Sequence, residues 1–368
     1  MSLQQGCWSA VAHGHWQPNT NPHRTYSITN EAAGEQAVRW QKTHMCKPKN
    51  FSAATCHARA DQHEWVSAAG NNATAGRGSI LRVTRERWCE VMAQQRIRRV
   101  AIVGDSIAWS MVQSLWKLLD LPEHGPPARK PESKLLSIPC AAATGHGAAH
   151  RKNRLSAAWH SFLWGGSSNA SSSVELHWVL SNHLNTSLTL EAMRTADVTL
   201  LNAGPWYSPS NAPLRARVPG QKTVSSGKAW SVFADDLLEL QTGLRKRGLP
   251  NDSHRLIWRT SHTGHPQCDK HHRPFSTPGE ALDGLNRCTR CVEDWGWQWM
   301  PTYDHSATNV LGSLGAQVFD IRPMTTMRPD AHSEKRFGGQ PDCLHLALPG
   351  VPDWWNALLL SSIETCGG

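Results

Sequence analysis

Two short blocks at opposite ends of the chain carry the residues best suited to chemistry. Gly104-Asp105-Ser106 follows the apolar run Val100 to Val103 and opens a helical pattern, which puts Ser106 on a tight turn at a helix N-terminus. Main-chain N–H groups there can hold an oxyanion, the charge that develops when a hydroxyl attacks an acyl carbon. A bare Gly-Asp-Ser reads equally as a helix cap, so a second signal is needed. Asp342-Cys343-Leu344-His345 supplies it. Residues three apart in a helical turn face the same way, so Asp342 can orient His345 and stabilise its imidazolium while His345 takes the Ser106 proton. Asp330 and His332, two residues apart, form a rival pair.

The elements that must position these groups alternate. Helical stretches are expected from Arg82 to Gln95 and from Ser106 to Leu119, the second with Val112, Leu115, Trp116 and Leu119 at i, i+3, i+4 and i+7. Further strands are expected at Val174 to Leu180, Val198 to Asn202, Leu256 to Thr260 and Val318 to Ile321. Further helices are expected at Leu188 to Ala196, Ala229 to Arg247, Ser306 to Gly315 and Pro352 to Ile363. Such a rhythm indicates an α/β layered fold with a mostly parallel sheet. Ligands bind at the carboxyl ends of such strands, where Ser106, Asn202 and the loops after Thr260 and Ile321 would gather. Residues 1 to about 80 lack a sustained period and read as a loop-rich segment packed on a core formed by 81–368.

Length and composition narrow the partners. The 368 residues, 39% hydrophobic, can bury a large core. Mean hydropathy is −0.48, and no apolar run is long enough to span a bilayer. The net charge of +9 is scattered apart from Arg96, Arg98 and Arg99, and no nucleic-acid motif accompanies it. Solvated surface is the first reading of that charge, and contact with a polysaccharide or phosphate the second. Eighteen tryptophans suit core packing and stacking on sugar rings. Trp295, Trp297 and Trp299 alternate, so an extended backbone would turn all three to one face for shared burial.

Ten cysteines permit up to five disulfides, and sequons at Asn50, Asn72, Asn169, Asn185 and Asn251 suit glycosylation. Together they favour a secretory-pathway lumen. The N-terminus MSLQQGCWSA lacks a basic stretch followed by an apolar one, so a signal or anchor is expected to be absent from this chain. Cys268-x-x-His271 with Cys288-x-x-Cys291 has zinc-site spacing, but an oxidising compartment favours disulfides, and no metal is expected.

The blocks Val103-Gly104-Asp105-Ser106, Asn202-Ala203-Gly204-Pro205-Trp206, Trp258-Arg259-Thr260-Ser261 and Arg328-Pro329-Asp330-Ala331-His332 stand in an order that resembles the trichome-birefringence-like family. The longest match is Asp342-Cys343-Leu344-His345 followed by Pro349-Gly350-Val351-Pro352-Asp353 and Trp355-Asn356. Those are PC-esterase proteins, a branch of the SGNH/GDSL hydrolase fold, acting as O-acetyltransferases on wall polysaccharides in the Golgi. The resemblance implies a three-layer SGNH-like domain wrapped by a disulfide-pinned N-terminal segment. It makes Ser106 the nucleophile, His345 the general base and Asp342 its orienting acid. Asn202 would join the Ser106 amide in an oxyanion hole, with Gly204, Gly145 and Gly147 as further candidates there, and Asp330 and His332 would be architectural. Trp109, Trp206 and Tyr207 are candidate glycan contacts. No bound cofactor is implied; an acetyl donor, acetyl-CoA or another carrier, is required as co-substrate, directly or from a donor-supplying membrane protein. The full-length form is expected to be membrane-anchored. Two blocks depart from the family pattern: Trp109-Ser110 stands for an Arg-Asn pair, and Pro205 for a histidine. With water in place of the sugar hydroxyl the same site is a carbohydrate esterase, and with a vestigial site the chain is a polysaccharide-binding protein.

Overall fold

The structure, a computed structural model, describes residues 14–18, 63–67, 82–121, 133–140, 173–218, 224–289, 291, 295–332, 336–337 and 340–366. Most of the 1–80 segment, with Cys7, Cys46 and Cys56, lies outside them, as do Gly145, Gly147 and the sequons at Asn50, Asn72 and Asn169. Within that segment only strands β1 (Gly14–Pro18) and β2 (His63–Ser67) are described; they pair antiparallel.

The central sheet has six strands: β3 (Arg99–Gly104), β4 (Ser133–Pro139), β5 (Ser173–Leu180), β6 (Val198–Leu201), β7 (Arg255–Arg259) and β8 (Gln317–Phe319), ordered β4-β5-β3-β6-β7-β8. All pairings are parallel except β4 on β5, at the edge. Side chains alternate across the pleat, so each strand feeds two cores. Val100, Ile102, Leu176, Trp178, Leu200 and Ile257 join one core; Ala101, Val103, Val179, Leu201 and Trp258 join the other.

Helices cover both faces. On the first lie α1 (Arg85–Gln94), α2 (Ser106–Leu118) and α9 (Val351–Cys366). On the second lie α3 (Thr186–Thr195), α5 (Ser226–Lys246) and α7 (Met300–Gly312). Three shorter helices lie in the connections: α4 (Ala212–Ala216), α6 (Pro278–Asn286) and α8 (Arg322–Thr326), the last beside β1. The result is the expected three-layer α/β arrangement. Among the elements not anticipated are β4, where Leu135 on its outer face stays largely exposed, α6 between β7 and α7, α8 in the loop expected after Ile321, and the β1–β2 pair in the loop-rich segment.

Two couplings fix the site-bearing segments. Strand β3 runs into α2 through Gly104, where an added Cβ would lie 2.8 Å from Ala108 Cβ and 3.2 Å from the Asn202 carbonyl oxygen. Helix α9 is latched to α2 by the buried Asn356, whose Nδ2 donates to the Met111 carbonyl at 3.0 Å and to Ser114 Oγ at 2.8 Å. Asp353 adds to the latch, accepting from the Ser114 hydroxyl and from the Gly350 N–H. The long C-terminal motif thus carries the chain from the 342–345 turn to the underside of the serine helix.

Candidate active site

Strand β3 leads through α2, on one face, to β4 and β5 on one side of it, whereas its other neighbour β6 leads through α5, on the opposite face, to β7 on the far side, so a crevice opens between the carboxyl ends of β3 and β6. Ser106 sits there as the first residue of α2. Asp105 is its N-cap, accepting from the Ile107 N–H at 2.9 Å, so the aspartate of Gly-Asp-Ser has the capping part and the serine hydroxyl is left for other bonds.

The 342–345 segment approaches from across the crevice. It is a turn rather than a helix, closed by the Asp342 carboxylate, which accepts from the main-chain N–H groups of Leu344 at 3.3 Å and His345 at 3.1 Å. The same carboxylate accepts from His345 Nδ1, 3.0 Å from Oδ2. On the far side of the ring, His345 Nε2 receives the Ser106 hydroxyl at 2.8 Å. Asp342 is buried with 5% of its side chain accessible, whereas His345 keeps 15%, so the ring edge and the serine remain reachable. This arrangement can move a proton from Ser106 to His345 while a fixed charge waits behind the imidazole, which is what nucleophilic acyl chemistry needs.

The turn is braced from behind. Cys343 forms a disulfide with Cys268, and its carbonyl accepts from the His265 N–H at 2.9 Å. His262 Nε2 donates to the Leu344 carbonyl at 2.8 Å, and His332 Nδ1 lies 2.8 Å from the His345 carbonyl oxygen. His332 in turn lies 2.6 Å, Nε2 to Nδ1, from His265. Burial pushes His262 down to about 3, with Arg259 adding repulsion, and His265 down to about 4; it holds His332 well below the ordinary histidine value too. Asp330 of the rival pair is bound by Arg328 at 2.9 and 3.1 Å, in full burial, so it closes a structural ion pair. Sequence reading reached His332 through that rival pair but missed His262 and His265; their only signal was two histidines in the loop after a strand end.

Several expectations are corrected. Asn202 Nδ2 donates to the Arg259 carbonyl at 3.1 Å and to Ser261 Oγ at 3.0 Å, so both of its hydrogens are turned into the protein and neither faces Ser106 chemistry. Gly204 serves this packing, since a Cβ there would fall 2.5 Å from Ser261 Oγ. Trp109 is 5% exposed and packs on Trp178 with ring centroids 5.3 Å apart, so it belongs to the core and offers no face to a glycan. Tyr207 is fully buried, its hydroxyl donating to Asp236 at 2.6 Å. Of the three candidate contacts only Trp206 is half-exposed. The tryptophan trio is not extended: Gly296, at φ +64°, turns the chain into a short 3-10 helix over Trp297–Trp299, and only Trp297 is buried. Cys288 bonds to Cys291, so with Cys268 on Cys343 the thiolates of the zinc reading are consumed. A third disulfide, Cys89 to Cys140, ties α1 to the end of β4.

Beside the turn opens a cleft of about 820 Å³, with Pro341 and Cys343 in its wall and Phe275 and Trp295 as partly exposed rings.

Comparison with known proteins places these features. Residues 89–362 match the family described as PC-Esterase, a GDSL/SGNH-like acyl-esterase family found in Pmr5 and Cas1p. A segment of 60 residues is 40% identical to Protein trichome birefringence-like 42 of Arabidopsis thaliana, covering 15% of this chain and 17% of that protein. Protein trichome birefringence-like 38 of the same plant is 41% identical over 59 residues, 16% of its length. Each match therefore spans less than a fifth of the curated relative. The family match covers most of the chain, and the chain belongs to the PC-esterase family, with its GDSL/SGNH-like fold.

Proposed function

We propose that this PC-esterase family member is an O-acetyltransferase that moves an acetyl group onto a hydroxyl of a cell-wall polysaccharide through an acetyl-Ser106 intermediate. The observation that carries the reading is the 2.8 Å contact from Ser106 to His345, with Asp342 bound to the far ring nitrogen. In the first half-reaction Ser106 Oγ attacks the donor's acetyl carbonyl, and its proton passes to His345 Nε2. The Ser106 N–H at the start of α2 faces the oxyanion, as free helix-start donors do. Collapse expels the donor's leaving group, which takes the proton from His345, and leaves the serine ester. In the second half-reaction the sugar hydroxyl attacks that ester while His345 takes its proton and returns it to Ser106 Oγ. Asp342 stays ionised throughout and stabilises the imidazolium.

The acyl carrier, direct or supplied by a membrane protein, and the acceptor glycan are the partners of this reading; nucleic acid is not. The cleft beside the 342–345 turn, with Phe275 and Trp295, suits the faces of sugar rings. The disulfides among the described residues suit an oxidising lumen of the Golgi type. No helix among the described residues is long and apolar enough to cross a membrane.

A second reading, favoured by the family's description as acyl esterases, has water discharge the same intermediate. Intact-mass analysis with acetyl donors, beside Ser106→Ala, separates them. A Ser106-dependent acetyl adduct discharged to glycan faster than to water supports transfer, and discharge to water alone means hydrolysis. A folded protein that forms no adduct and takes no serine-directed phosphonate is a binding protein instead.

A further inference from the structure

The two histidines behind the turn pose a proton-counting problem. His265 Nε2 lies 3.0 Å from the Thr326 carbonyl, His265 Nδ1 lies 2.6 Å from His332 Nε2, and His332 Nδ1 lies 2.8 Å from the His345 carbonyl. Both carbonyls can only accept, and the central contact needs one hydrogen, so three contacts ask for three protons. Two neutral imidazoles carry two. A bare contact between nitrogen lone pairs at 2.6 Å is repulsive, so the central bond keeps a hydrogen, and one carbonyl must go without. Keeping the shorter carbonyl bond, to His345, leaves Thr326 as the partner that yields.

We propose that His332 is a positioning residue for His345, with its tautomer set by His265: His265 Nδ1–H donates to His332 Nε2, and His332 Nδ1–H donates to the main-chain carbonyl of His345. The inference rests on the reading of Ser106, His345 and Asp342 as the reacting set. Its surroundings agree with a neutral pair. Burial disfavours a charge on either ring, and Arg328, His271 and His262 oppose one, while Asp330 and Asp342 favour it. Acidification therefore adds the third proton and completes the Thr326 bond. The segment is otherwise well held, with the Ala347 N–H donating to the Ala331 carbonyl at 2.8 Å, so the His332 bond adjusts the carbonyl next to the reacting ring rather than holding the strand together.

An asparagine side chain places its N–H where a histidine places Nδ1, which makes the roles separable. The probe is the labelling rate with a p-nitrophenyl phosphonate, together with thermal midpoints. His332→Leu is expected to label about 10- to 100-fold more slowly, by analogy with the groups that orient metal-bound histidines, and His332→Asn to recover to within about threefold of wild type. His265→Leu should slow labelling in the wild-type background and have no effect beside His332→Asn, which no longer needs a tautomer set for it. Wild-type labelling by His332→Leu, or His332→Asn as slow as His332→Leu at an unchanged midpoint, overturns the proposal. A measurement independent of activity decides it even if wild type fails to label, which would instead count against the enzyme reading. In ¹⁵N-histidine spectra at neutral pH, His332 should appear as the Nδ1–H tautomer, and an Nε2–H tautomer overturns the assignment.

Discussion

Cys268 and Cys343 are joined by a disulfide across 75 residues of sequence, and Cys343 is the immediate neighbour of Asp342. The bond fastens the turn that carries the carboxylate to the segment after β7, next to His265. A loop of this length closed in the unfolded chain is worth about 2–5 kcal/mol. Cys268→Ser with Cys343→Ser is expected to lower the thermal midpoint accordingly and to slow phosphonate labelling of Ser106 at temperatures where the fold is intact. Unchanged labelling in the folded double variant would mean that the hydrogen bonds to the turn suffice.

Substitutions in the reacting set should separate the serine, the base and its orienting charge. Ser106 is half-buried, and among the described residues its side chain bonds outward to His345, so Ser106→Ala should abolish labelling and the acetyl adduct while leaving the midpoint within about 1 kcal/mol. Asp342→Asn keeps the size but can present its amide to His345 Nδ1, which selects the wrong tautomer; a loss on the order of 10³-fold or more is expected. The loss should fall on the rate of acyl-enzyme formation rather than on apparent donor affinity. An Asp342→Asn protein with near-normal rates would remove the carboxylate from the mechanism.

The α2–α9 latch makes a stability prediction. Asn356 is fully buried and its Nδ2 donates to Met111, Ser114 and Pro352. Asn356→Asp cannot donate these bonds in its ionised form and buries a charge, so a cost of about 3 kcal/mol or more is expected. Asn356→Leu should cost less, about 1–3 kcal/mol, because only the acceptors are left unpaired. Equal midpoints for the two variants would show that the latch is packing alone.

What could be read in advance follows from locality. Val100 to Val103 is buried on both faces and α2 shows one apolar stripe, so short-range pattern was enough for the central layer. Ser106 and the Asp342–His345 spacing were legible because each sits in a compact block with its own turn chemistry. The partnership of His265 and His332 spans 67 residues and is made only by folding, and the pairing of Cys268 with Cys343 is one of many combinations that the cysteines allow. Aromatic residues near the site misled for a different reason. Trp109 and Tyr207 suit a sugar face and a core equally well, and nothing in their neighbours said that Trp178 and Asp236 would claim them. Strand β4 escaped because an edge strand needs only one buried face, here Leu136 and Ile138.

The buried histidines predict a specific acid limb in stability. His262 and His265 hold their folded-state values near 3 and 4, below the 6.5 of the unfolded chain, chiefly through burial. As pH falls through 6.5 the unfolded chain binds protons that the folded one refuses. The stability these residues contribute is therefore full above about pH 6.5 and is lost progressively down to the folded-state values, at about 1.4 kcal/mol per pH unit for each. By pH 5 that amounts to about 2 kcal/mol per residue, a large share of the 5–15 kcal/mol usual for a domain. His262→Gln isolates one of them, because glutamine places an N–H where His262 Nε2 donates to the Leu344 carbonyl but does not titrate. Urea midpoints between pH 4 and 8 should show the variant losing stability with a shallower slope than wild type, by about 1.4 kcal/mol per unit below pH 6.5. Parallel slopes for the two proteins would mean that His262 takes up its proton within the fold, and that the Leu344 carbonyl is held by a charged ring.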